Sequence, residues 1–371
     1  MINFKGTPFN IIEVIIGKIS HKNKCDGYIL LTDSEDAIFS TDSNIPIIYV
    51  GAIANTSRQL LALQEDDAVT LEENDIVSIH PDGTCTILYR SSWRDLGLFL
   101  TNACNSHCVM CPQTSVEDHG SELDTCRKII ALQPENVERI GITGGEPTCY
   151  QDDLVELLEL LHDKYPTTRI SVLTNGRRLS DAQLVNRISS IKHRNLVICV
   201  PLYAANNNQH DAIVGAQNAF VETIKGIINL YNAGIAVEIR MVLYTLTYKY
   251  LREFSQFVYR NLPFVYHIAF MGMEYSGNAK RNSEKFWIDP YDYRAELDSA
   301  TWLLHQRGMN VSVYNIPLCL LKQRTRQFAR DSISAWKKEY HSICASCSVR
   351  EKCSGFFTTS SIYSGRIQSV I

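Results

Sequence analysis

The chain has 371 residues, 45% of them hydrophobic and 20% charged, with a formal charge of −4 and twelve cysteines. That length allows two or three domains, and ordinary apolar content with low net charge excludes an intrinsically disordered chain. With 36 Lys and Arg against 40 Asp and Glu, a generally basic surface for nucleic acid is excluded too.

In chain order, residues 1–93 read as short strands separated by turns. Ile11–Ile19, Gly27–Thr32, Ile45–Val50 and Asp75–His80 are rich in β-branched residues, and Pro81-Asp82-Gly83 reads as a hairpin turn before Thr84–Tyr89. Cys25 and Cys85 stand isolated there and are expected to be buried structural thiols. The run Asn10–Ile19 falls short of the ~18 residues of a membrane helix and is broken by Glu13 and Lys18. No cleavable signal pattern opens the chain, so a cytoplasmic protein without a membrane partner is expected. In a reducing compartment the cysteines then point to metal or thiol chemistry, not disulfides.

From residue 94 the pattern alternates. Strand-like runs occur at Leu96–Leu100, Val137–Thr143, Arg169–Thr174, Leu196–Leu202, Ala236–Leu243 and Val265–Met271. Helical patterns lie between them, at Glu122–Leu132, Leu154–Lys164, Asp181–Ile191, Ala219–Asn232 and Tyr250–Asn261. Six βα units in succession predict an α/β fold with a parallel sheet, either open or curled into a partial barrel. In such folds chemistry collects at the carboxyl ends of the strands. The stretch from about 286 to 371 adds a helix (Tyr291–Arg307), a strand (Asn310–Ile316) and a cysteine-bearing tail.

Three strand ends carry motifs. After the first comes Cys104-x3-Cys108-x2-Cys111, three thiols in eight residues. A structural zinc site wants four protein ligands, and His107 is a poor fourth because it adjoins Cys108. Three thiolates suit a [4Fe–4S] cluster with one iron open. The second strand ends in Gly144-Gly145-Glu146-Pro147, whose glycines permit close backbone approach and whose carboxylate can accept bonds from an ammonium group. The third ends in Thr174-Asn175-Gly176. Each motif alone reads as a turn; three at consecutive strand ends form one site.

This constellation resembles the radical SAM superfamily. The resemblance covers residues 94–285 and implies a partial (β/α)6 barrel between a β-rich N-terminal region (1–93) and a C-terminal extension (286–371). It implies that Cys104, Cys108 and Cys111 ligate a [4Fe–4S] cluster whose open iron is chelated by S-adenosylmethionine, with Gly144, Gly145 and Glu146 at the methionyl end. Reductive cleavage of the sulfonium would then yield a 5′-deoxyadenosyl radical that abstracts a substrate hydrogen. Where the family often has an aromatic residue packing on adenine, this chain has Met110, whose thioether can do the same. Asn175, Tyr203 and Arg240 occupy positions that often line the cofactor pocket; for each, the bland alternative is a hydrogen-bonded strand-end polar group. No catalytic side chain is assigned. His210-Asp211 and Phe220 fall in a stretch that recurs in peptide-modifying members, although a solvated loop is the default expectation for His210.

The tail carries Cys344-x2-Cys347-x5-Cys353, with Cys319 upstream. Four thiolates could hold zinc or a second cluster. The spacing is similar to part of the SPASM and twitch extensions, although Phe357 stands where the longer pattern needs cysteine, so one auxiliary [4Fe–4S] cluster on Cys319, Cys344, Cys347 and Cys353 is expected. Cys126, Cys149 and Cys199 are expected to pack as ordinary thiols. Met110-Cys111-Pro112-Gln113, Pro201-Leu202-Tyr203 and Cys353-Ser-Gly-Phe-Phe357 together resemble the His-Xaa-Ser system radical SAM maturases. That resemblance implies a ribosomal peptide substrate, a reductant such as flavodoxin or ferredoxin, and a partner maturase. Two alternatives are a radical SAM enzyme acting on a small metabolite and a non-catalytic Fe–S redox sensor, which would need no ammonium site.

Overall fold

The computed structural model describes residues 2–22, 27–42, 44–53, 56–64, 66, 70–113, 120–132, 134 and 136–370; Cys25 lies outside the described residues. The chain packs as two compact units, residues 1–99 with 122–141, and residues 100–121 with 142–371.

The first unit is built on β1 (Ile2–Lys5), β2 (Thr7–Phe9), β3 (Ile15–Ser20), β4 (Tyr28–Thr32), β5 (Ile47–Val50), β6 (Leu60–Leu63), β7 (Ile76–Ile79) and β8 (Thr84–Tyr89), in the order β1-β8-β7-β3-β4-β5-β6-β2. β1 and β2 sit at opposite ends of that order yet are joined by Gly6 alone, so one stretch of chain closes the sheet. The Gly6 N–H donates to Gly83 O beside β8 at 2.9 Å, while a Cβ on Gly6 would collide with the Ala62 carbonyl in β6. Closure removes the exposed edges that an open sheet must protect. Alternating Ile19, Ile29, Leu31, Ile48, Leu61, Val77, Ile79, Cys85 and Ile87 fill the core, and Cys85 is the fully buried thiol expected. The helix α1 (Glu35–Ser40) seals a second cluster with Ile38. The strand expected from Ile11 begins only at Ile15, because Asn10 takes a left-handed turn (φ 52) and Ile12 points into solvent. This unit also holds β9 (Asp95–Phe99), α2 (Leu123–Ala131) and the start of β10 (Arg139–Thr143).

In the second unit, β11 (Arg169–Leu173), β12 (Leu196–Pro201), β13 (Ala236–Leu243), β14 (His267–Gly272) and β15 (Val311–Tyr314) pair in that sequence, every pair parallel. Ahead of β11 runs α3 (Gln151–Lys164), and between the strands run α4 (Ala182–Ser190), α5 (Asn207–Val214), α6 (Ala219–Asn232), α7 (Leu251–Asn261), α8 (Gly277–Arg281), α9 (Ser283–Phe286) and α10 (Arg294–Gln306). Parallel neighbours need such crossovers, and each helix must bury one face. In α3 that face is Leu154, Leu157, Leu158 and Leu161, as their spacing predicts. The sheet has two unlike faces. Ile170, Val172, Ile198, Val200, Ile239, Met241, Ile268 and Phe270 are almost wholly buried, whereas the alternate residues include Arg169, Glu238, Arg240, His267, Ser312 and Tyr314. This is a mixed α/β chain with a parallel sheet, consistent with a radical SAM fold. Past β15, the two-residue strands β16 (Lys338–Glu339) and β17 (Phe356–Phe357) pair antiparallel and bracket the tail cysteines, with Phe357 buried. Among the described residues no helix is long and apolar enough to cross a membrane.

Candidate functional site

Residues 100–103 and 143–146 run side by side. The Leu100 N–H donates to Thr143 O at 2.9 Å, Gly145 N–H to Thr101 O at 2.7 Å, and Glu146 N–H to Ala103 O at 2.7 Å. These bonds deliver the cysteine loop onto the Gly-Gly-Glu-Pro turn, and they explain its glycines. A Cβ on Gly144 would come under 3.0 Å from the Thr101 carbonyl, and one on Gly145 would do the same against the carbonyls of Asn102 and Ala103.

Glu146 is fully buried. Its Oε1 accepts from Thr148 N–H (2.9 Å), Thr148 Oγ1 (2.6 Å) and Thr174 Oγ1 (2.6 Å), and its Oε2 accepts from Asn175 N–H (2.5 Å). The carboxylate therefore ties the second strand end to the third. Asn175 in turn reaches back: its Nδ2 donates to Asn105 Oδ1 at 2.6 Å, inside the cysteine loop. Arg177 donates to Asn105 O and forms an ion pair with Glu222 at 2.6 Å. The three motifs are thus one hydrogen-bonded unit.

Cys104, Cys108 and Cys111 are partly exposed free thiols. Burial is the main cause that raises their pKa values, to about 11 for Cys104 and about 12 for Cys108, with Cys111 raised as well. Glu146 and the neighbouring thiols push Cys104 further in the same direction. Would-be anions gathered this way are a donor set that calls for a cation, which fits an iron–sulfur cluster. Among the described residues, no three His, Cys, Asp or Glu side chains are arranged to hold a single metal ion.

Two further segments fix the loop, and neither was expected from the sequence. At the end of α5, His107 N–H donates to Val214 O and Val109 N–H to Ile213 O, while Gly215 (φ 63) leaves no room for a Cβ against His107 O. Opposite, Ser276 Oγ donates to Pro112 O (3.0 Å), Asn278 N–H to Cys111 O (2.9 Å), Asn278 Nδ2 to Cys108 O (3.2 Å) and Asn282 Nδ2 to Val109 O (3.2 Å). Polar side chains 170 residues away in sequence leave no local signal, although the Asn206 cap and Gly215 ending mark α5 itself. Asn278→Ala should lower stability by about 1–2 kcal/mol and loosen the loop. Faster bleaching of the reconstituted cluster in air than in wild type is the readout.

Met110 is 4% exposed and packs with Tyr203, Ile213, Val214, Tyr244 and Phe286, with Cys108 against the same cluster. Tyr203 belongs to this core. His210, expected in a solvated loop, is instead in α5 and 1% exposed; its Nδ1 accepts from Tyr203 N–H, and burial lowers its pKa to about 4. An α5 anchored on the cysteine loop has to bury that face. Asp211 accepts from Phe220 N–H at 2.8 Å. Arg240 lies on β13 and donates through Nε to buried Glu238 Oε1 at 2.6 Å.

Cys126 and Cys199 are buried and Cys149 is half-buried near Cys104. In the tail, Cys319 feels Cys353 and Cys344, and Cys353 feels Cys344 and Cys347, so all four thiols share one neighbourhood. Burial raises the pKa of Cys319 and of Cys353, and the Leu318 N–H donates to Cys353 Sγ at 3.4 Å. As at the first site, these side chains are not arranged to hold a single metal ion among the described residues.

Residues 98–258 match the family model described as Radical SAM superfamily, and this part of the chain belongs to that superfamily. The superfamily implies a [4Fe–4S] cluster and S-adenosylmethionine. The sporulation killing factor maturation protein SkfB of Bacillus subtilis (strain 168) is 28% identical over 149 residues, 39% of this chain and 35% of that protein. The mycofactocin maturase MftC of Mycobacterium tuberculosis (strain ATCC 25618 / H37Rv) is 32% identical over 160 residues, 42% of this chain and 39% of that protein. Similarity of the same kind extends to proteins named probable GTP 3′,8-cyclase. The chain thus spans well under half the length of the two maturation proteins it matches. Among solved structures, Streptococcus suis SuiB bound to S-adenosylmethionine shares the fold, with a TM-score of 0.50 and 20% identity over 59% of this chain and 50% of that one.

Proposed function

We propose that this chain is a radical SAM peptide maturase of the His-Xaa-Ser system type, acting in the cytoplasm on a ribosomally made peptide. The observation that carries the reading is the hydrogen-bonded unit of cysteine loop, Gly-Gly-Glu-Pro turn and Asn175. A redox sensor has no use for it. The names of the maturation proteins among its relatives favour a peptide over a small metabolite.

In this reading Cys104, Cys108 and Cys111 hold the cluster. Because the Glu146 carboxylate is occupied by Thr148, Thr174 and Asn175, it orients the turn, and the Gly144–Gly145 backbone faces the methionyl group. Met110 walls the adenine side, and Arg240 lines the cofactor pocket. When bound, the cluster and S-adenosylmethionine supply a one-electron cleavage that delivers a hydrogen-abstracting radical. Cys319, Cys344, Cys347 and Cys353 hold an auxiliary [4Fe–4S] cluster in a C-terminal extension (286–371), behind a partial barrel (94–285) and the β-rich region (1–93). A small electron carrier such as flavodoxin or ferredoxin serves as reductant.

Mass spectrometry of a co-expressed peptide bearing His-Xaa-Ser repeats tests the substrate class. A defined mass change that disappears with Cys104→Ala supports it, and an unmodified peptide beside an enzyme that cleaves S-adenosylmethionine overturns it. Cys353→Ala is expected to retain cleavage while the peptide product is lost, measured as 5′-deoxyadenosine formed per modified peptide.

A further inference from the structure

The segment that grips the cysteine loop, α8 with α9, also has a surface of its own. Through Asn278 and Asn282 it donates to the carbonyls of Cys108, Val109 and Cys111. A Cβ on Gly277 would come under 3.0 Å from the carbonyls of Cys111 and Pro112. The backbone of two cluster-ligand candidates is therefore in direct contact with this segment. Its other end is fixed as well: Thr245 N–H donates to Phe286 O at 3.3 Å and Thr245 Oγ1 to Lys285 O at 3.1 Å, with Phe286 buried in the cluster around Met110.

On its exposed side the segment presents Lys280, Arg281 and Lys285, with Glu284 as the one exposed carboxylate of α8 and α9. Among the described residues none of the three cations is in an ion pair. Exposed cations elsewhere are answered by carboxylates, as Arg94 is by Glu138, Arg139 by Asp95 and Arg187 by Asp152. Glu274, just upstream, is taken by Lys337 at 3.0 Å. Three cations against Glu284 leave two positive charges in surplus, on a chain whose formal charge is −4. That surplus lies on a rigid platform, one hydrogen bond from the backbone of Cys108.

We propose that the surface formed by Lys280, Arg281 and Lys285 docks an acidic one-electron carrier protein that reduces the cluster. The carrier gives up one electron and the cluster gains it, with no bond made or broken at the interface. Complementary charge speeds encounter and sets orientation more than it adds affinity, which suits a partner that must also leave. Weak redox encounters bury less than about 1,200 Å², so a small fixed patch is enough, and a fixed patch loses little freedom on docking. The Asn278 and Asn282 bonds place the carrier against the loop that holds the electron's destination. The inference rests on the radical SAM reading of that loop.

Flavodoxin, an acidic carrier, is the probe. Its binding to the anaerobically reconstituted full chain is measured at low and high ionic strength, and 5′-deoxyadenosine formation is then driven by photoreduced flavodoxin or by dithionite. Lys280→Glu/Arg281→Glu should weaken flavodoxin binding and flavodoxin-driven turnover by about tenfold at low ionic strength, and dithionite-driven turnover by less than about twofold. The loss should shrink at high salt, as screening removes it from the wild-type chain too. Glu284→Lys should tighten flavodoxin binding. Lys164→Glu/Arg194→Glu reverses two exposed charges near the amino ends of the strands and should leave binding within about twofold. Equal losses in the two double variants, a loss in neither, or a wild-type chain that binds no flavodoxin overturns the proposal. So does a wild-type dimer that Lys280→Glu/Arg281→Glu splits while flavodoxin binding stays, which gives the surface to a second copy. An equal loss with dithionite places the effect on the cysteine loop and overturns it as well. Dithionite needs no docking surface, so a chain that makes 5′-deoxyadenosine with dithionite keeps the radical SAM reading whatever becomes of this surface.

Discussion

Cys104→Ala is expected to abolish the low-potential cluster and, with it, reductive cleavage of S-adenosylmethionine to background; Cys108→Ala and Cys111→Ala should do the same. The three thiols sit on one loop held by the Gly-Gly-Glu-Pro turn, by Asn175, by the end of α5 and by the Asn278–Asn282 segment. Such a loop cannot rearrange to recruit a substitute, and a cluster left with two thiolates has lost the protein's hold on it. Cys149 is near enough to influence Cys104, so the comparison should include Cys149→Ala, which is expected to keep its iron. Cys126→Ala and Cys199→Ala remove buried thiols and should cost about 1 kcal/mol of stability without loss of iron. Iron and sulfide content per chain, with the 5′-deoxyadenosine yield, checks all of these. Full iron at the first site in Cys104→Ala would refute the ligand assignment.

Gly145→Ala is expected to be nearly as damaging, for a steric reason. The added methyl would meet the carbonyl oxygens of both Asn102 and Ala103 under 3.0 Å. Neither oxygen is the end of a flexible side chain, and the Ala103 carbonyl already accepts from Glu146 N–H at 2.7 Å. To make room, the cysteine loop must separate from the turn, breaking the bonds between 100–103 and 143–146. A cost of about 3 kcal/mol or more is expected from overpacking together with lost buried hydrogen bonds, alongside loss of cluster loading. Gly141→Ala, four residues earlier, is the matched control: a Cβ there has nothing within 4 Å, and its effect should stay within about 0.5 kcal/mol. Equal melting temperatures for the two variants would show that the close approach is not needed.

Much of this site is legible in the sequence because its parts are local. The cysteine spacing, the paired glycines and the Thr-Asn-Gly turn each lie within a few residues, and alternating apolar runs place each at a strand end. The parallel pairing of β11 to β14 follows from the same periodicity, whereas the strand at 310–316 reads as part of the tail and instead joins the sheet beside β14. What the sequence does not display is long-range: Asn278 and Asn282 reaching the loop, Glu146 spending its carboxylate on Thr174 and Asn175, and Glu238 pairing with Arg240 and, on the next strand, His267. Each of those residues, read singly, is an ordinary polar residue near a strand or turn. His210 departs from its expected solvated place for a related reason. Polar neighbours in Asn206–Asp211 suggest solvent, and only the packing of α5 on the cysteine loop buries the imidazole. In the first unit, β1, β2 and β6 escape notice because two are very short and Leu60-Leu61-Ala62-Leu63 is Leu- and Ala-rich, a composition that favours helix.

The most direct test of the account is anaerobic reconstitution with iron and sulfide, followed by dithionite and S-adenosylmethionine, with 5′-deoxyadenosine as the readout. The account predicts 5′-deoxyadenosine from the wild-type chain and none from Cys104→Ala. A wild-type protein with a fully loaded, reducible cluster that leaves S-adenosylmethionine intact would contradict it.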